Sequence, residues 1–152
     1  MKVTNKSRGF TIVELLVVIV VIGILAAITM VSYTGVTNKA KAAKAQSNAN
    51  SVYQVANIYQ SDTAGGNGLF PDGATTISSY SGISKLPAGI TVLAAAQNKP
   101  DASEGETTIR YKAKGTTGGC IAYWDFSSTS IKYLFVGDAT TANFTVAGLT
   151  CS

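Results

Sequence analysis

The chain of 152 residues has no histidine, two cysteines, three prolines and one tryptophan, and only 13% of its residues are charged. The absence of histidine and the shortage of cysteine exclude the usual ligand sets for zinc and iron. No Cys-x-x-Cys pair is present, which argues against thiol–disulfide redox chemistry. Because no serine or cysteine has a readable base partner, we expect a protein that is not an enzyme and has no cofactor site.

Basic residues are scarce outside the N-terminus. Lys2, Lys6 and Arg8 lie in the first nine residues, which contain no acid, and the rest of the chain has nine basic against eight acidic side chains. This balance gives no general positive field of the kind that attracts nucleic acid. Nucleic acid is therefore an unfavoured partner, and the length suits one domain plus a membrane anchor.

The most informative stretch is Ser7–Glu14, followed by an apolar run from Leu15 to Val31. The run is long enough to span a bilayer as a helix. A carboxylate near the centre of a membrane helix costs roughly 2.5–3.5 kcal/mol on insertion scales, and less near an interface. Glu14 therefore either stays hydrated at the cytoplasmic headgroups or has a positive partner. A cut after Gly9 would create such a partner, the α-amino group of Phe10, one helical turn away.

A basic leader followed by this stretch resembles the class III signal peptide of type IV pilins and related pseudopilins, and the matching residues are Gly9, Phe10, Thr11, Ile12, Val13, Glu14, Leu15 and Leu16. The resemblance implies that a membrane-embedded aspartyl peptidase cuts after Gly9 on the cytoplasmic side and then N-methylates Phe10. It also implies that Glu14 is used when subunits assemble into a helical filament. Many members of the bacterial branch carry a proline where this chain has Val31, so a proline kink is not expected there.

Two other interpretations of the N-terminus stay open, a conventional secretory signal and an uncleaved single-pass anchor. A conventional signal also has a basic head and an apolar core. Against it, the run is long, it contains Glu14, and Ala26-Ala27-Ile28 does not provide an A-x-A cleavage site. The short basic leader predicts an N-terminus on the cytoplasmic side. The precursor is then expected in the cytoplasmic membrane as a single-pass protein, and the assembled subunit in an extracellular filament.

We expect an α+β fold of pilin-like layout. Residues 1–9 are the leader, and one long helix covers about 10–60, with its lower half, 10–32, transmembrane and protruding. A helix of about fifty residues extends roughly 75 Å, more than a domain of this size can bury. The upper half has one apolar stripe that we expect to pack on an antiparallel sheet of three to four strands. The stripe consists of Ala42, Ala45, Ala49, Val52, Ala56 and Tyr59.

The globular domain is expected over residues 33–152, beginning with the second half of the helix. Glycines and a proline predict a loop over 61–88, with Phe70, Ile77 and Ile83 inserted into the core. The sheet should occupy 89–152, and its short connections favour an antiparallel meander. The predicted strands are 89–95, 107–114, 120–126 and 131–136, with a further edge strand at 143–146.

Cys120 and Cys151 are expected to pair, because two cysteines in an exported chain usually do. The resemblance to pilins also implies a C-terminal cysteine pair that ties the last segment to the sheet. The closed loop would contribute roughly 3–4 kcal/mol in the chain-entropy model. The alternative is a pair of unbonded structural thiols.

Two charged clusters on the domain are weaker signals. Asp101, Glu104 and Glu106 offer oxygen ligands for calcium, which some pseudopilins bind. Their spacing matches no known calcium loop, so a solvated acidic loop is the favoured interpretation. The second cluster, Arg110, Lys112 and Lys114, shares one face of a predicted strand and would suit contact with DNA or a surface. A solvated strand face is the simpler explanation.

Two further signals are of limited weight. Tyr123, Trp124 and Tyr133 are interpreted as packing residues rather than as a binding platform. The tripeptide Asn143-Phe144-Thr145 matches the N-glycosylation sequon, which alone indicates little beside a bacterial-type leader.

These features predict a structural protein, the major subunit of a type IV pilus-like filament that assembles through its N-terminal helix. Its expected partners are further copies of itself, a prepilin peptidase and methyltransferase, the pilus assembly machinery and, before assembly, the membrane. Alternatives with the same signal are a minor pilin and a pseudopilin of a type II secretion or competence system. A filament-associated adhesin or DNA-uptake module and a monomeric membrane-anchored surface protein are further alternatives.

Overall fold

The computed structural model describes residues 9–94, 99–145 and 148–152. The elements along these residues are α1 (Ile12–Ser61), α2 (Ala74–Ser79), β1 (Thr91–Ala94), β2 (Thr108–Lys114), β3 (Gly118–Asp125), β4 (Ser130–Gly137), β5 (Ala142–Thr145) and β6 (Gly148–Cys151). The chain divides into two compact units, residues 1–37 and residues 38–152. Helix α1 contributes residues to both units.

The first unit contains the apolar part of α1. Every described side chain from Gly9 to Val36 is exposed, and no charged residue occurs between Leu15 and Asn38. A helix that is apolar on all faces suits an environment of lipid or of other helices. By length and composition α1 can cross a membrane, a test that a signal sequence also passes; its most apolar window has a mean hydropathy of 3.0 and no buried residue.

In the second unit α1 buries one face against the sheet, as its stripe predicts. The buried helix residues are at most 2% exposed, and they are Ala45, Ala49, Val52, Val55 and Ala56. Ala42 and Tyr59, at the two ends of the predicted stripe, pack against the same core while partly buried. Small side chains in the stripe let the helix backbone approach the sheet, and the valines fill the space beside them.

The main sheet has the strand order β1-β2-β3-β4. The predicted α+β fold is confirmed, but the sheet is mixed rather than wholly antiparallel, because β1 pairs with β2 in parallel while β2–β3 and β3–β4 are antiparallel. Parallel neighbours need a crossover connection, whereas a tight turn gives an antiparallel pair. The connection between β1 and β2 covers residues 95–107, which is long enough for the chain to return to the start of β1.

The two faces of the main sheet cover different partners. Tyr111, Ile121 and Tyr123 belong to the core that includes α1, while Cys120 and Ala122 belong to a second apolar cluster. Since neighbouring strand residues point to opposite faces, the two clusters lie on opposite sides of the sheet. The second cluster is completed by the antiparallel hairpin of β5 and β6. The domain therefore has three layers: α1, the sheet and the hairpin.

The predicted loop at 61–88 contains one short helix, α2, which the sequence interpretation lacked. Ile77 on α2 is fully buried and Phe70 packs at the core edge, as predicted. Ile83, however, is 78% exposed, so its predicted insertion into the core is wrong. Tyr80 takes that place, because its ring is buried and its hydroxyl donates to the buried carboxylate of Asp62 and accepts from the Ile83 main-chain N–H.

Candidate functional site

The bond between Gly9 and Phe10 lies just before the helix. Both residues are exposed, Phe10 at 83%, and α1 begins only at Ile12. A Cβ built on Gly9 would meet no atom within 4 Å, and the residue is not in the left-handed region. The fold therefore gives no steric reason for glycine at this position. Any need for glycine must come from a partner that acts on this bond.

Thr11 and Glu14 form a reciprocal cap at the start of α1. The Glu14 Oε2 accepts hydrogen bonds from the Thr11 main-chain N–H and from its hydroxyl, both at 2.8 Å. In return, the Glu14 N–H donates to the Thr11 Oγ1 at 3.3 Å. This arrangement satisfies helix N-terminal donors that have no partner within the helix. The capping role of Thr11 was not predicted from the sequence, although the spacing Thr-x-x-Glu is the signal for a capping box.

The cap determines what the Glu14 carboxylate can still do. Oε2 is committed to Thr11, while Oε1 has no hydrogen-bond partner among the described residues. A carboxylate at a helix N-terminus is also favoured by the positive end of the helix dipole. The exposed oxygen can accept a hydrogen bond from a cation outside the chain without dismantling the cap.

The N-terminal segment matches one known protein family model. Residues 4–30 match the family described as the prokaryotic N-terminal methylation motif. The chain carries the class III signal peptide of type IV pilins and pseudopilins. No curated protein and no solved structure matches the chain. The motif covers Gly9, Phe10 and Glu14 and ends before the globular domain.

This motif supports a type IV pilin-like or pseudopilin protein. The motif implies processing by a prepilin peptidase and assembly into a pilus-like filament. The apolar helix and the motif together fit a membrane-anchored precursor that is later part of a surface filament. Pilin-type proteins are structural, and they are typically not enzymes.

The domain of this pilin-like chain contains the predicted disulfide. Cys120 and Cys151 are bonded, with their Cα atoms 5.7 Å apart. Cys120 is fully buried on the central strand β3, and Cys151 ends the last strand, β6. The bond therefore joins the outer hairpin to the middle of the sheet.

The acidic segment proposed as a calcium site has its carboxylates engaged elsewhere. Glu104 forms a short ion pair with Arg110, and Glu106 pairs with Lys44 at 3.2 Å. Asp101 accepts hydrogen bonds from the N–H and the hydroxyl of Ser103. The bond from the hydroxyl, and after it the bond from the N–H, are the main causes that lower the pKa of Asp101. Within the described residues no group of three or more such side chains is arranged to hold a metal ion.

The predicted basic cluster on β2 is not a free patch. Arg110 is only 5% exposed and pairs with Glu104, and Lys114 lies 3.5 Å from a carboxylate oxygen of Asp138. Of the three, Lys112 alone is exposed and has no ion-pair partner in the described part of the chain. With two of three charges neutralised by neighbours, this strand face offers little attraction for a phosphate backbone.

The aromatic residues belong to the packing of the domain. Tyr123 is buried in the core that includes α1, and Trp124 packs at its edge. Tyr133 packs against the second cluster under the hairpin. The three rings are thus distributed over two apolar clusters instead of forming one exposed stacking surface.

Proposed function

We propose that this protein is the major subunit of a type IV pilus-like filament. The observation that carries the proposal is a single carboxylate, Glu14, which lies within the methylation motif at the start of the exposed and otherwise uncharged first part of α1. A membrane-crossing helix that is exposed on all faces has to be covered by lipid or by other helices. Further copies of the same helix provide such a cover once the subunit leaves the membrane.

In the proposed pathway the leader is removed after Gly9. The basic residues of the leader keep this bond at the cytoplasmic face, and the bond is exposed and outside α1. Cleavage converts the Phe10 nitrogen into an amine, which is then methylated and keeps its positive charge. The new charge is the cation that the Glu14 carboxylate lacks in the precursor.

Assembly follows from pairing this amine with Glu14 of an adjacent subunit. The pair relieves the desolvation of both charges as the subunit passes from lipid into the filament core, where a low dielectric strengthens the attraction. Because one carboxylate occurs in an otherwise uncharged segment, the pair fits at one axial offset only. Bulk adhesion between the helices comes from apolar side chains such as Leu15, Leu16, Ile19 and Ile24.

Substitutions at Glu14 test the proposal. Glu14→Ala should leave expression, cleavage and domain folding intact while filament numbers fall sharply. Glu14→Asp should assemble partly, because the charge remains but its reach shortens. Glu14→Gln is the sharpest variant, since glutamine can still cap α1 through Thr11 but has no charge. We expect Glu14→Gln to fail in assembly as Glu14→Ala does.

The measurement is a filament count by electron microscopy beside an immunoblot for mature subunit in the membrane. Intact mass shows whether the mature chain begins at Phe10 and carries one methyl group. Normal filament numbers in Glu14→Gln would reject the charge pair and leave the residue as a helix cap. High abundance in sheared surface filaments is expected of a major pilin, whereas a minor pilin, a pseudopilin or a monomeric anchored protein would be scarce or absent there.

A further inference from the structure

We propose that Asn143 is an N-glycosylation site that carries an oligosaccharide on the outer layer of the domain. The motif is Asn143-Phe144-Thr145, and beyond the leader no other asparagine has serine or threonine two residues later. The middle residue is not proline, as the acceptor motif requires. The site rests on the proposed function in one respect, because the domain has to be exported to meet a sugar-transferring enzyme.

The structure places the acceptor and its hydroxyl partner on the same face of one strand. Phe144 is 6% exposed and packs under the hairpin, in the cluster with Cys120. Since strand residues alternate in direction, Asn143 and Thr145 point away from the sheet, and both are exposed. The Thr145 side chain therefore lies on the same solvent-facing side of the strand as Asn143, and its hydroxyl donates to the Gly148 main-chain oxygen at 3.2 Å.

The side chain of Asn143 is also not needed by the fold. The residue pairs with Thr150 across the hairpin, and its main-chain oxygen accepts a hydrogen bond from the Thr150 hydroxyl at 3.1 Å. The side-chain amide makes no hydrogen bond in the described part of the domain. A sugar on this nitrogen would therefore leave both the strand pairing and the buried Phe144 unchanged.

The layer order within the domain separates the acceptor from the helix. The β5–β6 hairpin lies on the side of the sheet opposite to the part of α1 that packs on it. A bulky, hydrated group on Asn143 would therefore not interfere with the packing of α1 on the sheet.

The reaction requires a sugar donor of the polyprenyl diphosphate class. The Asn143 Nδ2 bonds to the anomeric carbon of the oligosaccharide, while the bond from that carbon to the diphosphate oxygen breaks. The amide loses one proton, and the lipid diphosphate leaves. No oxidant or reductant takes part.

The test is the intact mass of the mature chain isolated from its own host, with mapping of the peptide that contains residue 143. We expect a mass above that of Phe10–Ser152 with one methyl group, by a whole number of sugar residues. Asn143→Gln and Thr145→Ala should remove the excess, and Thr145→Ser should retain it. The matched control is Asn50→Gln on the exposed face of α1, which should also retain it.

Two results would overturn the inference: a wild-type mass that equals the methylated polypeptide, or an excess that persists in Asn143→Gln. Comparison of Thr145→Ser with Thr145→Ala separates loss of the site from misfolding. Serine keeps the hydroxyl that the sequon requires, whereas alanine removes it. The same spectra report the N-terminal residue independently. A chain that starts at Phe10 without sugar contradicts only the glycosylation site, while one that starts elsewhere contradicts the proposed processing.

Discussion

Asp125 organises the turn between β3 and β4 by accepting three hydrogen bonds at one oxygen. Its Oδ1 accepts from the Ser127 hydroxyl at 2.7 Å, from the Ser127 N–H at 2.8 Å and from the Ser128 N–H at 3.3 Å. The Ser127 hydroxyl is the largest cause that lowers the pKa of this carboxyl, to about 2. Hydrogen bonds that favour the ionised form in this way stabilise the folded state while the group is charged.

We expect Asp125→Ala to lower the free energy of unfolding by about 1 kcal/mol near neutral pH, after allowance for solvent screening. The folded pKa is depressed, so the contribution is complete above the ordinary pKa of 3.8 and is lost as the pH falls through about 2. The difference in free energy of unfolding between the wild type and Asp125→Ala should therefore narrow from pH 4 towards pH 2. Unfolding of the detergent-solubilised chains is measured by fluorescence of Trp124, the only tryptophan.

Ser127→Ala is the companion variant for this turn. It removes the largest favourable hydrogen bond while the carboxylate stays, so the pKa of Asp125 should rise towards its ordinary value. The pH-dependent part of the Asp125 contribution to stability should then be smaller, and its loss should be complete at a higher pH than in the wild type. If the difference in free energy of unfolding between Asp125→Ala and the wild type did not depend on pH, the hydrogen bonds to the ionised carboxylate would not be its cause.

Single residues also mark the limit of what the sequence predicts. Glu14 stands out because a lone carboxylate in an apolar run is costly, and the two cysteines have no other partner in the chain. The exposed Ile83 and the buried Arg110 were not predictable, because their burial depends on residues distant in sequence. Tyr80 is buried in place of Ile83, with its hydroxyl bonded to Asp62, and Glu104 provides the charge that lets Arg110 be buried.

At the scale of elements, α1 was predictable because its stripe follows the 3.6-residue period over many turns. The strands β2, β3 and β4 were predictable from alternation and short connections. The parallel pairing of β1 and the existence of β6 were not, since each depends on where a connection or a disulfide brings the chain. A four-residue strand carries too little periodicity to be recognised alone.

The packing of α1 on the sheet gives a prediction with an internal control. Ala49 is fully buried in the core, whereas Ala43 is exposed on the same helix. Ala49→Leu should lower the free energy of unfolding by about 1–3 kcal/mol, because extra methyl groups cannot be accommodated in a dense core. Ala43→Leu should change it by less than about 0.5 kcal/mol. Alanine and leucine both favour helices, so helix propensity contributes little to either change. Equal changes in the free energy of unfolding, measured by Trp124 fluorescence, would reject the packing argument.

For the whole molecule, the two compact units have different tasks. The motif, the Gly9–Phe10 bond and the apolar stretch that is long enough to cross a membrane belong to the first, while the sheet and the disulfide belong to the second. The sequence predicts domains at 1–9, 10–32 and 33–152, and these functional boundaries remain a prediction. The compact units instead divide between Thr37 and Asn38.

This division predicts that processing and domain stability can be altered independently. Cys151→Ser should lower the free energy of unfolding of the domain by about 3–4 kcal/mol, since the bond closes a loop between residues 31 positions apart. Membrane insertion and cleavage should stay normal, because the apolar helix and the Gly9–Phe10 bond are in the other unit.

Gly9→Val should have the opposite effect: it should block cleavage of the leader while the Cys120–Cys151 bond still forms. Trp124 fluorescence, non-reducing peptide mapping and intact mass of the membrane fraction measure the three properties. An uncleaved Cys151→Ser precursor would show that the peptidase requires the folded domain, and the two units would then have to be treated as one substrate.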